Sequence, residues 1–219
     1  MALPLLLLLE LAIYTSCFIC GIVTAALVTI VQGHSGGKCL LYGTLQYNAS
    51  AKVISVTSSS HPSLCYFVSA ISVCVAIFCF SLTLYWVYSC CLDGEVSRER
   101  LWLNVTLGMC GVFLFFLLIT GCILKIGTDK LCDSIQPSYP SCEDAQNIPW
   151  ASPDSGSKFY SSLRSAEASV WVNFFFWLII GGLAFAQRRK GNAEYRGGGE
   201  VTGASPSETE PFLQRPGQP

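Results

Sequence analysis

ASVWVNFFFWLIIGGLAFAQRRK, residues 168–190, is the stretch on which the fold turns. Residues 168–187 carry no charged side chain, and the run then stops on Arg188, Arg189 and Lys190. About 20 apolar residues rising 1.5 Å each cover the roughly 30 Å of hydrocarbon in a bilayer, so this segment is long enough to cross one. Three further charge-free runs, at 11–31, 64–91 and 101–124, reach the same length. Only 12% of the 219 residues are charged, and apart from Glu10 they fall in the connections and the C-terminal end. A water-soluble domain spreads its charges over its whole surface instead. The expected fold class is an all-α membrane protein, a four-transmembrane-helix bundle. Residues 1–190 form its membrane domain and residues 191–219 a disordered cytoplasmic tail.

The net charge of −1 says little, because orientation follows the placement of Lys and Arg rather than their sum. The short connection after the second run carries Arg98 and Arg100, and the fourth run ends on three cations followed by Arg196. Both segments are expected in the cytoplasm. The longer connections, about 32–63 and 126–167, dilute their cations and counter them with Asp129, Asp133, Glu143, Asp144, Asp154 and Glu167, so they are expected outside or in a lumen. Four spans then leave both termini cytoplasmic, in the plasma membrane or in an endosomal or secretory vesicle membrane. The apolar N-terminus lacks a basic n-region and continues past the length of a signal-peptide core, so it reads as an uncleaved span with Pro4 and Glu10 at the cytoplasmic interface.

Of 12 cysteines, Cys39, Cys65, Cys132 and Cys142 fall in the two outer loops. An even number in an oxidising compartment indicates two disulfides. Three pairings are open; Cys39–Cys65 with Cys132–Cys142 is preferred because each loop then closes by itself. Asn48-Ala49-Ser50 is a glycosylation sequon in the middle of the first outer loop, whereas Asn104-Val105-Thr106 lies beside the cytoplasm and is expected to carry no glycan. Around the first sequon, KCLLYGTLQY and KVISVTS are rich in β-branched and aromatic residues and are separated by the turn-like NASA, which predicts a small β-hairpin. Prolines 137, 140, 149 and 153 punctuate the second outer loop, and a short helix over 158–167 is expected to lead into the last span.

Within the spans, Ser69, Ser72, Ala76, Cys79 and Thr83 recur in steps of three and four, which lines small side chains along one seam where another backbone can approach. Val75 is expected on a different face. Cys17, Gly21 and Ala25 form a similar line in the first span; Asn104, Gly108 and Gly111 do so in the third, and Asn173 and Gly181 mark the fourth. No run has an ionisable residue at its centre, which argues against proton-coupled transport. HExxH, Walker A and GxSxG motifs are absent, and an enzyme is not expected. His34, Cys39, His61 and Cys65 are zinc-compatible types in one loop, but oxidation of the thiols removes two ligands, and no cofactor or metal is expected. Cys90 and Cys91 end the second span as a juxtamembrane pair suited to S-palmitoylation. Residues 208–213, ETEPFL, approximate an acidic dileucine sorting signal, with Phe212 in place of a leucine.

GKCLLYG (37–43), SLCYFV (63–68), CILKIGTDKLCDSI (122–135), CEDAQNIPW (142–150) and FYSSL…AE…WVN (159–173) together resemble the transmembrane protein 179 family. The match runs in order from the first span to the fourth and includes all four outer cysteines. It implies a four-pass integral membrane protein and carries over no catalytic or ligand residue. Claudin-like proteins share this layout, but the first loop lacks their W-GLW-C-C arrangement, and the CCG motif of tetraspanins is absent from the second. The expected function is that of a scaffold or accessory subunit whose partners are the lipid bilayer and other membrane proteins, with no nucleic acid. The alternative is a small channel or transporter subunit.

Overall fold

The computed structural model describes residues 2–92, 100–135, 141–152, 156 and 158–197. Helix α1 (Ala2–His34) leads into strands β1 (Cys39–Asn48) and β2 (Val53–Ser60), followed by helix α2 (Ser63–Leu92) and helix α3 (Arg100–Ile135). A single turn, α4 (Cys142–Ala145), then precedes helix α5 (Phe159–Gly197). The four long helices each contain an apolar segment of spanning length, over Leu5–His34, Ser63–Ser89, Trp102–Ile135 and Phe159–Lys190. Their outward faces carry Ile22, Ile77, Phe80, Phe115, Leu178 and Ile179 well exposed, a surface that only lipid solvates at low cost.

The helices outlast the charge-free runs. The outer connection expected over 126–167 is in fact helical up to Ile135 and again from Phe159. The reason lies in side chains that pair along and between α3 and α5. Lys125 Nζ stands 3.2 Å from Asp129, Arg164 stands 3.9 Å from the same carboxylate, and Arg164 Nη1 lies 2.8 Å from Glu167. The pairs spaced three and four apart support helix beyond the hydrocarbon. At the other end, α5 continues through 191–197, the first part of the segment expected to be a disordered tail, because AEYR at 193–196 are adequate helix formers. Residues 198–219 lie outside the described residues, and with them the ETEPFL segment.

α1 ends on two glycines, with Gly36 and Gly37 at φ 61° and 83° and the Gly37 N–H donating to the Gln32 carbonyl at 2.9 Å. That turn launches the predicted hairpin, in which β1 and β2 pair antiparallel with Leu45 opposite Val56 and Tyr47 opposite Ile54. The register slips between Cys39 and Thr44. Gly43 permits the bend there, since a Cβ at that position would meet the carbonyl oxygens of Leu40 and Ser58 at 2.9 Å each. On its far edge β2 takes a short parallel bridge from the second connection: the Ile54 N–H donates to Pro149 O at 3.1 Å, and the Ala151 N–H to Ile54 O at 2.9 Å. The hairpin sits on the extension of α3, where Leu40 and Leu41 are buried with Leu131 and Ile135. Gly127 of α3 provides the room, since a Cβ there would fall 2.9 Å from Leu41 Cδ2.

Among the helices, α1 packs on both α2 and α5, and α3 packs chiefly on α5 and β1. α2 and α3 meet mainly through rings, with Phe78 5.1 Å from Phe113 and Tyr85 stacked on Trp102 at 5.1 Å. Glu10 near the start of α1 accepts a hydrogen bond from Gln187 near the end of α5 at 2.8 Å. The chain's first helix and its last therefore share one end of the bundle, opposite the hairpin.

Candidate functional site

The seam predicted on the second span holds at its centre. Ser72, Ala76 and Cys79 are buried, and Ser69 and Thr83 are partly so. Its counterpart is the line Cys17, Gly21 and Ala25 of α1. A Cβ on Gly21 would lie 2.7 Å from the Ser72 carbonyl oxygen and 3.1 Å from the Ala76 methyl, so two backbones touch here. Thr29 Oγ1 and Ser69 Oγ lie 3.4 Å apart toward the hairpin end of the seam, and Cys17 and Cys79 are both fully buried toward the other. Val75, expected on another face, is also fully buried. The buried sector of α2 is broader than its stripe of small residues, because the ring-filled gap toward α3 takes the larger side chains.

The third span requires a correction. Asn104, Gly108 and Gly111 are exposed, and a Cβ added at either glycine meets nothing within 4 Å. These residues do not pack inside this chain. α3 instead turns Cys110, Phe113, Leu117 and Leu124 inward. Gly181 of α5 does pack, with a Cβ there 3.4 Å from Cys110 Sγ, and Gly121 of α3 lies against the Trp171 ring.

Sequence reasoning missed the residue that organises the interior. Trp177 is fully buried, with its ring 4.8 Å from Phe113 of α3, 6.2 Å from Phe78 of α2 and 6.3 Å from Tyr14 of α1. One side chain thus touches all three other helices. A signal existed: tryptophan in spans favours the interfaces, and this one stands mid-span.

Glu10, expected at an interface, is turned inward and is 7% exposed. With Tyr14, Trp86, Trp102, Thr106 and Ile180 it lines a cavity of about 10 Å³, the room of one water molecule. Several hydroxyls elsewhere in the spans bond within their own helix, although Thr29 meets Ser69 across the seam and buried Thr128 Oγ1 has no partner among the described atoms. Thr24, Ser72, Thr83 and Thr120 each donate to the carbonyl four residues earlier. Among the described residues the arrangement offers packing and helix-to-helix hydrogen bonding.

In the head, the two disulfides are the within-loop pair. Cys39–Cys65 has its Cα atoms 5.8 Å apart and clips the start of β1 to the start of α2. Cys132–Cys142, at 5.4 Å, joins the end of α3 to α4. Both thiols of the considered zinc set are therefore oxidised, and among the described residues no group of three metal-ligating side chains converges. Asn48 is exposed at the hairpin tip, its Oδ1 accepting from the Ser50 and Ala51 N–H groups at 3.0 and 3.3 Å. The side chains of Cys90 and Cys91 lie outside the described residues.

Four apolar membrane-length helices carrying a disulfide-braced hairpin between the first two define a claudin-like multi-pass membrane protein. The family description "Transmembrane protein 179/179B Claudin domain" matches residues 6–213, and the chain belongs to this transmembrane protein 179/179B family. It is 63% identical over 222 residues to Transmembrane protein 179B of Danio rerio, covering all of both chains. Its identity to Transmembrane protein 179B of Homo sapiens is 39% over 189 residues, covering 85% of each chain. No solved structure matches. The claudin relationship holds although the W-GLW-C-C arrangement is missing. Here the first loop is braced by a strand-to-helix disulfide, Cys39–Cys65, and by burial of Leu40 and Leu41 against α3.

Proposed function

We infer that this protein is a non-enzymatic membrane scaffold or accessory subunit that holds other membrane proteins through its outer head and its spans. The observation that carries this reading is the outward face of α3, where Asn104, Gly108 and Gly111 lie open in a line. In lipid, helices associate by close packing and side-chain hydrogen bonds, for which small residues and an amide are suited. A membrane helix of a partner protein is the occupant such a face fits. The interior argues less for the alternative of a channel or transporter subunit, since Trp177 and its ring neighbours fill the centre of the bundle.

The proposed setting has both termini in the cytoplasm and the hairpin outside or in a lumen, in the plasma membrane or an endosomal or secretory vesicle membrane. There Asn48 carries a glycan and Cys90 and Cys91 are acylated. The test is purification in mild detergent with quantitative mass spectrometry of co-purifying proteins, comparing wild type with Gly108→Leu and Gly111→Leu. Loss of one polytopic partner in both variants, with unchanged thermal stability and with Val112→Leu retaining it, supports the reading. Unchanged partners in both variants sink it, and selective ion flux from the pure protein in liposomes favours the channel.

A further inference from the structure

We propose that the lipid-facing side of α5 holds an anionic phospholipid, its headgroup phosphate on Arg189 with Arg188 and Lys190 beside it. Phe175, Leu178, Gly182, Phe185 and Arg189 recur in steps of three and four, so they form one line along the helix, and every one of them is exposed. On the opposite side of α5, Trp177, Ile180 and Ala184 are buried, and Gln187 bonds to Glu10 of α1. The line therefore looks away from the bundle.

Its apolar part suits an acyl chain. A Cβ at Gly182 would meet nothing within 4 Å, so the surface dips to the backbone between Leu178 and Phe185 and no other part of the described chain fills the dip. One turn beyond Phe185, the Arg189 guanidinium stands over the Phe185 ring, 5.9 Å from its centroid. That contact holds the charge where the apolar helix gives way to headgroups.

Arg188 and Lys190 flank Arg189 at about 100° to either side and are exposed. Among the described residues no carboxylate pairs with any of the three, and Glu10 at the same end of the bundle is turned inward to Gln187. Over residues 188–197 the sequence sets four cations, Arg188, Arg189, Lys190 and Arg196, against Glu194 alone, a net of three positive charges. A zwitterionic headgroup leaves that charge uncompensated, whereas an anionic one offsets it. Guanidinium groups bind phosphate oxygens in pairs, and basic residues beside a span attract anionic lipid.

The full chain in nanodiscs of phosphatidylcholine, with a trace of spin-labelled phosphatidylserine or spin-labelled phosphatidylcholine, provides the test. Electron paramagnetic resonance reads the fraction of each label immobilised on the protein, and label in both leaflets makes the outcome independent of orientation. Wild type is expected to immobilise the serine lipid more than the choline lipid. That preference should fall in Arg189→Gln, vanish in the triple variant Arg188→Gln, Arg189→Gln, Lys190→Gln, and persist in Lys130→Gln at the hairpin end. If the triple variant fails to fold, wild type, Arg189→Gln and Lys130→Gln decide. Equal immobilisation of the two labels by wild type overturns the proposal. So does a preference that Arg189→Gln leaves unchanged, that a folded triple variant retains, or that Lys130→Gln reduces as much as Arg189→Gln does.

Discussion

A methyl group fills the space available at position 76. The side chain is wholly buried, and the α1 backbone at Gly21 comes so near that an added Cβ there would stand 3.1 Å from the Ala76 methyl. Ala76→Leu therefore overpacks a contact between two backbones and should cost about 1–3 kcal/mol, visible as a lower melting temperature in detergent and slower exit from the endoplasmic reticulum. Ile77→Leu, one residue on and 61% exposed, is the reference and should behave as wild type. Equal behaviour of the two variants would mean that this seam is not a packing surface. At this scale the small residues at steps of three and four were legible, because an α-helix converts that spacing directly into a line. Gly108 and Gly111 share the pattern and face outward, so spacing identifies a stripe without saying whether this chain or another covers it.

Among the elements, the hairpin depends on attachments that its strands cannot supply, since two strands alone are marginally stable in water. One attachment is the burial of Leu40, Leu41 and Leu45 beside α3, where the Leu45 N–H donates to Ser134 Oγ at 3.0 Å. The other is Cys39–Cys65, which closes a sequence separation of 26, against 10 for Cys132–Cys142. In the chain-entropy description loops of these lengths are restrained by about 3.5 and about 2.7 kcal/mol respectively. Paired serine substitutions should lower the melting temperature in both cases, with the Cys39/Cys65 double variant more affected. The opposite ranking would show that hairpin attachment rests on the α3 contacts alone. Strand propensity and the even count of outer cysteines made the hairpin and the bridges readable beforehand. The parallel bridge of Ile54 to Trp150 was not, because a pairing between residues far apart in sequence leaves no local pattern.

For the molecule as a whole, the shared end of α1 and α5 and the opposite placement of the hairpin set up a test of orientation. Tags at Met1 and Pro219 should stain only after permeabilisation, and Asn48→Gln should migrate like glycosidase-treated wild type, with no shift due to Asn104. Staining of either tag on intact cells, or a shift removed by Asn104→Gln, would reverse the proposed orientation. Four spans and their order were determined by sequence alone, since crossing a bilayer is a matter of apolar length along one dimension, whereas the helices run on past the expected start of the second outer connection. Which side of each span meets protein and which meets lipid was decided only in three dimensions. Lipid tails are as apolar as the bundle interior, so hydrophobicity cannot tell the two apart. Trp177 at the centre and Phe115 facing outward belong to the same apolar class, and only the fit of their shapes to the neighbouring helices separates them.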